Sequence, residues 1–257
     1  MYKYAIVILL LFIQKVSIAQ ADSILTLDQI SNCSIFLFHK TSDTTGDTGT
    51  GTIIRLNDKY FLLTASHVSK LMGLNSVVVF RLPGDRPKIV PLSNLTKNRL
   101  NWQIHPIADL AIIQLFPPKG DILTLIESIA IPNYLIYSGD VLPPKDYEFT
   151  FLGYPLIDLN IEHFSPLTFS SHLASGLITG IRADTKTRAT FFYLDKPSIQ
   201  GCSGSGVFIS VKQGAFYIGN KTLLIGVMHG TMSDETGGKL AAVTPLSYIN
   251  NWNFTAE

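Results

Sequence analysis

Short apolar runs recur along the chain with turn-forming residues between them, while long amphipathic helical windows are scarce. Closely spaced runs of this kind are typical of an all-β barrel or sandwich. The first group of predicted strands covers 34–38, 50–56, 60–64, 76–82 and 110–115; the second covers 148–152, 174–181, 190–194, 207–211, 223–228 and 241–243. Residues 117–147 are rich in prolines and turn formers and are predicted to link the groups. A short closing helix is predicted over 245–252.

One serine lies between glycines in the stretch G-C-S-G-S-G at 201–206, directly before an apolar run. Glycines permit a tight turn, so this pattern suits a nucleophilic Ser203 at the entrance to a buried strand. Taken alone, the stretch favours an ordinary loop before a strand. Its meaning therefore depends on the rest of the chain.

Two upstream stretches carry the partners that a serine nucleophile requires. The run F-L-L-T-A-S-H-V ends near His67, and the run D-L-A-I-I-Q-L opens with Asp109. A serine needs a base to take its proton and an acid to orient the imidazole. His67, Asp109 and Ser203 supply this set in the order His, Asp, Ser.

These motifs resemble those of trypsin-like (chymotrypsin-fold) serine peptidases: T-A-S-H-V, D-L-A-I-I and G-C-S-G-S-G stand where that family has its three catalytic motifs. The segments G-T-G-T-I-I at 49–54 and F-L-G-Y-P at 151–155 are similar to landmarks of the bacterial HtrA and glutamyl-endopeptidase branches. The resemblance extends from about residue 33 to residue 252. A PDZ module of the kind that HtrA proteins carry is therefore not expected.

The resemblance implies an all-β fold of two six-stranded antiparallel β-barrels of the chymotrypsin type with a short C-terminal helix. The peptidase domain would span 22–257, with a first barrel over about 33–116, a linker over about 117–147 and a second barrel over about 148–252. The active site would lie between the barrels.

The implied activity is hydrolysis of peptide bonds in polypeptide substrates through an acyl-enzyme, without a cofactor. His67 would be the base, Asp109 its partner and Ser203 the nucleophile, with the backbone N–H groups of Gly201 and Ser203 forming the oxyanion hole. A catalytically silent binding or adhesion module of the same fold is the alternative. Cys202 and the unusual Ser-Gly pair that ends the motif keep that alternative open.

Cys202 stands where the trypsin branch has an aspartate, so activation by trypsin-style cleavage is not expected. A cysteine nucleophile is disfavoured because the motif would then place Gln200 at its first glycine. Cys202 and Cys33 are the only two cysteines. A disulfide and two buried free thiols are both considered, and free thiols are favoured.

By resemblance, the residues before Ser203 and the strand near Gly230 line the primary specificity pocket. No acid stands at Pro197, where trypsin binds Arg and Lys. Ser198 and His229 resemble the carboxylate-binding residues of glutamyl endopeptidases, although His229 is one residue out of register. The tentative pocket residues are Ser198, His229, Gly230 and Thr231. A small-to-medium apolar pocket is favoured over a Glu-binding one.

Residues 1–21 have the positive start, short apolar core and small residues of a secretory signal peptide, with cleavage after residue 19 or 21. Export to the periplasm or exterior of a bacterium is therefore expected, without a membrane anchor after cleavage. The net charge is only +1, and the sequence has no cluster of basic residues. Nucleic acid is therefore not expected as a partner. The histidines show no metal-ligand spacing, so no metal is predicted. The oligomeric state is not indicated.

Overall fold

The computed structural model describes residues 24–42, 45–155, 162–182, 184–209 and 221–255. The predicted signal peptide lies outside these residues, as do positions 210 and 211 of one predicted strand. Within them the strands are β1 (Ser34–Lys40), β2 (Gly46–Leu56), β3 (Lys59–Thr64), β4 (Val77–Leu82), β5 (Arg86–Pro91), β6 (Gln103–Ile104), β7 (Ala111–Leu115), β8 (Ile131–Pro132), β9 (Phe149–Gly153), β10 (Leu167–Ser171), β11 (Ile178–Ile181), β12 (Arg188–Leu194), β13 (Gly206–Ile209), β14 (Leu223–Ser233) and β15 (Lys239–Pro245).

The helical segments are short. The α-helices are α1 (Leu27–Cys33), α2 (Ser66–Ser69), α3 (Leu92–Leu95) and α4 (Asp121–Ile129), and 3-10 helices span Asn133–Leu135 and Leu246–Asn251. Helix α1 begins at a capping box, in which the Thr26 hydroxyl and the Gln29 side chain each accept from the other's backbone N–H. Among the described residues, no helix is long and apolar enough to span a bilayer.

The described strands form two sheets. The first has eight strands in the order β5-β4-β1-β2-β3-β7-β6, with β8 pairing parallel to β2, and the second has seven in the order β10-β9-β13-β14-β15-β12-β11. All other strand pairs are antiparallel. One apolar core fills the first sheet and continues onto Leu152, Phe208, Leu224 and Val227 of the second, and another lies within the second sheet. The predicted all-β architecture of two units is confirmed.

The sheets contain eight and seven strands, where the resemblance implied six each. The sequence pattern predicted five strands of the first sheet and six of the second, and four short or irregular strands were not predicted. Strand β5 carries two prolines and lies at a sheet edge, where proline is tolerated. Strands β6 and β8 are two residues long, and β10 lacks a continuous apolar run. Strand β11 begins at Ile178 rather than at residue 174, and β14 continues to Ser233.

The segment predicted as a linker contains helix α4. Its apolar residues Ile122, Leu125, Ile126 and Ile129 recur at helical spacing and pack on the core of the first sheet. The proline and glycine residues before the helix hid this pattern from the sequence prediction. The closing helix is present as the 3-10 turn Leu246–Asn251.

Tyr154 joins the two sheets close to the nucleophile loop. Its hydroxyl donates to Ser34 O of β1 at 2.9 Å, and its ring stacks on Phe164 with centroids 4.7 Å apart. The Tyr154 side chain is buried with Phe36 of the first sheet. This contact fixes the relative position of the loops that carry the candidate site.

Candidate active site

His67 lies in helix α2, immediately after strand β3 ends. Its backbone N–H donates to Asp109 Oδ1 at 3.1 Å, and its ring Nδ1 lies 2.7 Å from Asp109 Oδ2. The His67 side chain is 27% exposed, whereas that of Asp109 is fully buried. The contact leaves the far ring nitrogen, Nε2, for a partner on the solvent side.

Asp109 lies in the loop between β6 and β7, which His105 braces by accepting the N–H groups of Ile107 and Ala108 on Nδ1. The Ser66 hydroxyl donates to Asp109 Oδ1 at 2.6 Å. Burial by itself raises the pKa of Asp109, but hydrogen bonds from His229 and His67 outweigh it and hold the pKa well below its usual range. Asp109 is therefore a buried carboxylate that stays ionised.

The Ser203 loop depends on two glycines with left-handed backbone angles, Gly201 at φ +96° and Gly204 at φ +85°. A Cβ at Gly201 would lie 2.8 Å from Pro155 Cα. The loop is anchored on both sheets, since Thr50 N–H donates to Ser203 O and Gly204 N–H donates to Met228 O, each at 2.9 Å.

The N–H groups of Gly201 and Ser203 have no acceptor among the described residues. Both belong to the same turn as the Ser203 hydroxyl, as the predicted oxyanion hole requires. The N–H of Cys202, which lies between them in the sequence, donates to Ile199 O at 3.0 Å.

The Ser203 hydroxyl itself is directed to the main chain of β14, where it donates to His229 O at 3.3 Å. No hydrogen bond joins Ser203 to His67 in the described part of the chain. The structure thus brings His67 and Asp109 into direct contact and sets Ser203 against the backbone of a neighbouring strand.

His229 and Arg182 also bind Asp109, in roles that the sequence analysis did not anticipate. His229 Nδ1 lies 2.5 Å from Asp109 Oδ2, and its side chain is 6% exposed. Arg182 Nη2 lies 3.2 Å from Asp109 Oδ1 and 2.8 Å from Ser66 Oγ. The sequence carried no signal for Arg182, and His229 was assigned only to the substrate pocket.

The three atoms of His67, Asp109 and His229 lie within 4.8 Å of one another, which is the kind of donor set that binds zinc. Ligands at about 2.0–2.1 Å from a tetrahedral zinc are about 3.3 Å apart. The two imidazole-to-carboxylate distances here are 2.5 and 2.7 Å. These are hydrogen-bond distances, so the cluster does not fit a metal without moving apart.

The predicted pocket residues Ser198 and Thr231 contact each other. Thr231 Oγ1 donates to Ser198 O at 2.6 Å and lies 3.0 Å from Ser198 Oγ. Gly230 lies between His229 and Thr231 on β14. The loop between β12 and β13, which carries Ser198, is therefore bridged to β14 at this point.

Both cysteines are free and buried, which confirms the favoured prediction. Cys202 packs against Gly153 in the core of the second sheet, and burial raises the pKa of its thiol to about 11. Burial likewise raises the pKa of Cys33, whose thiol donates to Ile30 O at 3.0 Å. Neither thiol is suited to nucleophilic chemistry at neutral pH.

Comparison with solved structures finds trypsin-like and HtrA-type proteases. The chain is similar to the Rv3671c protease of M. tuberculosis in its active form (TM-score 0.55, 15% identity, 87% of this chain and 80% of that chain). It is also similar to the MamO protease domain of Magnetospirillum magneticum in its apo form (TM-score 0.57, 14% identity, 90% and 100%). An HtrA-type protease, AlgW, solved with a tripeptide, matches with TM-score 0.52 and 14% identity over 88% of this chain and 62% of that chain.

No family model and no curated protein matches the sequence. At 14–15% identity the structural likeness shows the fold, which is that of trypsin-like proteases, over most of the chain. The comparison thus confirms the resemblance that the three motifs indicated.

Proposed function

We propose that this chain is an exported serine endopeptidase that cleaves polypeptides through a triad of His67, Asp109 and Ser203. The observation that carries the proposal is the 2.7 Å contact between His67 Nδ1 and the buried, ionised Asp109. Two neighbouring features support it: a serine in a tight glycine turn, and two N–H groups beside that serine without an acceptor among the described residues. The solved proteases of this fold agree with it.

In the proposed reaction, the Ser203 hydroxyl leaves His229 O, turns to His67 Nε2 and attacks the peptide carbonyl carbon. His67 takes the serine proton and passes it to the leaving amine, while Asp109 stabilises the imidazolium. The N–H groups of Gly201 and Ser203 bind the oxyanion, each contributing about 3 kcal/mol to transition-state stabilisation. Water then hydrolyses the acyl-enzyme by the same proton path in reverse.

The pocket chemistry favours substrates with a small side chain before the scissile bond. The bridge between Ser198 and Thr231 holds the loop before β13 against β14, at the residues proposed to line the pocket. The one imidazole available to bind a substrate carboxylate there, that of His229, has its Nδ1 on Asp109. We therefore propose glycine or alanine at this position over glutamate.

A silent binding module is the second candidate, and one observation favours it. The Ser203 hydroxyl bonds to His229 O at 3.3 Å rather than to His67. A chain that never releases this bond would keep the fold and lose turnover. Hydrogen bonds in catalytic sites without substrate are often long or poorly aligned, so an active enzyme is also compatible with this contact.

A fluorophosphonate probe distinguishes the two candidates, because it reacts only with an activated serine. The purified chain without residues 1–21 should be labelled, and Ser203→Ala and His67→Ala should not. Ser205→Ala is the control for another serine of the same loop, provided that its circular dichroism matches the wild type. A folded wild type that stays unlabelled would contradict the peptidase proposal and support the binding module.

A further inference from the structure

We infer that His229 is a positioning residue for the peptidase reaction, holding the Asp109 carboxylate in the orientation that His67 requires. The inference rests on the proposed function, in which Asp109 orients His67. It assigns to His229 a role different from binding substrate. The inference is based on a shared oxygen: His229 Nδ1 lies 2.5 Å from Asp109 Oδ2, and His67 Nδ1 lies 2.7 Å from the same atom.

The two imidazoles do not compete for this oxygen, because a carboxylate oxygen accepts two hydrogen bonds. Their rings stand nearly perpendicular, with centroids 5.6 Å apart and an interplanar angle of 85°, so both Nδ1 atoms reach Oδ2 without a clash. On the other oxygen, Oδ1, the Ser66 hydroxyl and the Arg182 guanidinium donate. The carboxylate is therefore bonded on both sides and cannot rotate freely.

The donors come from both halves of the molecule. Ser66 and His67 belong to helix α2 beside the first sheet, whereas His229 lies on β14 of the second. Without His229, the bond from His67 would be the only one on Oδ2 among the described residues. Among the described residues, Arg182 would then be the one remaining donor from the second sheet to the Asp109 carboxylate.

Exposure separates the roles of the two rings. The His67 side chain is 27% exposed, against 6% for His229, so His67 is the ring that a substrate can reach more readily. The charged and titratable groups around His229 are Asp109, His67, Arg182 and Asp184, and its Nδ1 is bonded to Asp109. His229 is therefore placed to hold the carboxylate rather than to contact the substrate.

Three variants test this role through kcat and KM. His229→Phe keeps a ring without the N–H donor, and we expect kcat to fall by about 10- to 100-fold while KM stays within about twofold, a smaller loss than removal of the base itself. His229→Asn carries an amide N–H close to the position of Nδ1 and should recover most of kcat. His172→Phe removes an exposed histidine whose Nδ1 is 3.9 Å from Asp195 and should leave kcat unchanged.

The spectroscopic test does not depend on turnover or on a folded variant. In the wild type labelled with ¹⁵N-histidine, we expect two strongly deshielded Nδ1–H resonances, one from His67 and one from His229. A single such resonance would overturn the inference, as would a folded His229→Phe variant with wild-type kcat, or equal losses in the Phe and Asn variants. A wild type that shows both resonances but neither cleaves nor labels would contradict the proposed function alone.

Discussion

Arg182 Nη2 lies 3.2 Å from Asp109 Oδ1, and this buried ion pair joins the two sheets at the candidate site. Arg182 follows β11 of the second sheet, whereas Asp109 precedes β7 of the first. The same guanidinium contacts Asp184 at 2.6 Å and donates to Ile107 O at 2.8 Å. One cation thus serves two carboxylates and fixes the loop that carries Asp109.

Replacing Arg182 should destabilise the protein strongly. Its side chain is 3% exposed, so Arg182→Met leaves a buried carboxylate without its cation, at a cost of about 3–5 kcal/mol in the free energy of unfolding. Urea unfolding measures this loss. Arg81→Met is the matched control, because Arg81 pairs with the more exposed Asp28 and Asp85 and should cost about 1 kcal/mol or less. Equal losses in the two variants would contradict the prediction.

Acid should destabilise the fold through Asp109. Its pKa is lowered in the folded state, so the stability it contributes is present above the unfolded value near about 3.9 and is lost as pH falls toward the folded value. The free energy of unfolding should therefore decrease from about pH 5 downward. Asp109→Asn should make this decrease less steep, as urea unfolding across the pH range measures.

Asp58→Asn is the control for the acid series. Asp58 is exposed and has φ +60°, a conformation that asparagine also tolerates. Its variant should follow the wild-type curve. If Asp109→Asn also followed the wild-type curve, the Asp109 carboxylate would not be the source of the acid-dependent stability. That result would contradict the lowered pKa of Asp109.

The motif residues were predictable because each stands at the end of an apolar run that forms a core strand. Local sequence therefore determines both the strand and the loop position of His67, Asp109 and Ser203. The role of Arg182 could not be predicted, since its partner Asp109 is 73 residues away in the sequence. The residues around Arg182 resemble those of an ordinary hairpin turn. The contact of His229 Nδ1 with Asp109 could not be predicted for the same reason, because it depends on how the two sheets pack together.

The two thiols should be unreactive in the folded protein. Both are buried, and at neutral pH the raised pKa of Cys202, about 11, leaves almost no thiolate. A chromogenic disulfide reagent should detect no thiol in the native state and both Cys33 and Cys202 in urea. Fewer than two thiols in urea without reductant would indicate a disulfide and contradict the buried free thiols.

Chelation should leave the candidate site unaffected. The imidazole and carboxylate atoms of His67, Asp109 and His229 are at hydrogen-bond rather than metal-ligand separations. EDTA should therefore not change the rate of fluorophosphonate labelling. A rate that falls on chelation and returns with added zinc would show that the cluster binds a metal instead of sharing protons.

Thr231 should limit the size of the substrate side chain, because its hydroxyl bridges to Ser198 across the predicted pocket. Wild type should cleave peptides with glycine or alanine before the scissile bond faster than those with valine, leucine or glutamate. Thr231→Ala removes the bridge, so kcat/KM for the valine and leucine peptides should rise about tenfold relative to alanine. Thr231→Ser keeps the hydroxyl and should retain the wild-type preference.

Because His229 Nδ1 is bonded to Asp109, none of these variants should favour glutamate. A wild type that prefers glutamate would overturn both the narrow pocket and this assignment of His229.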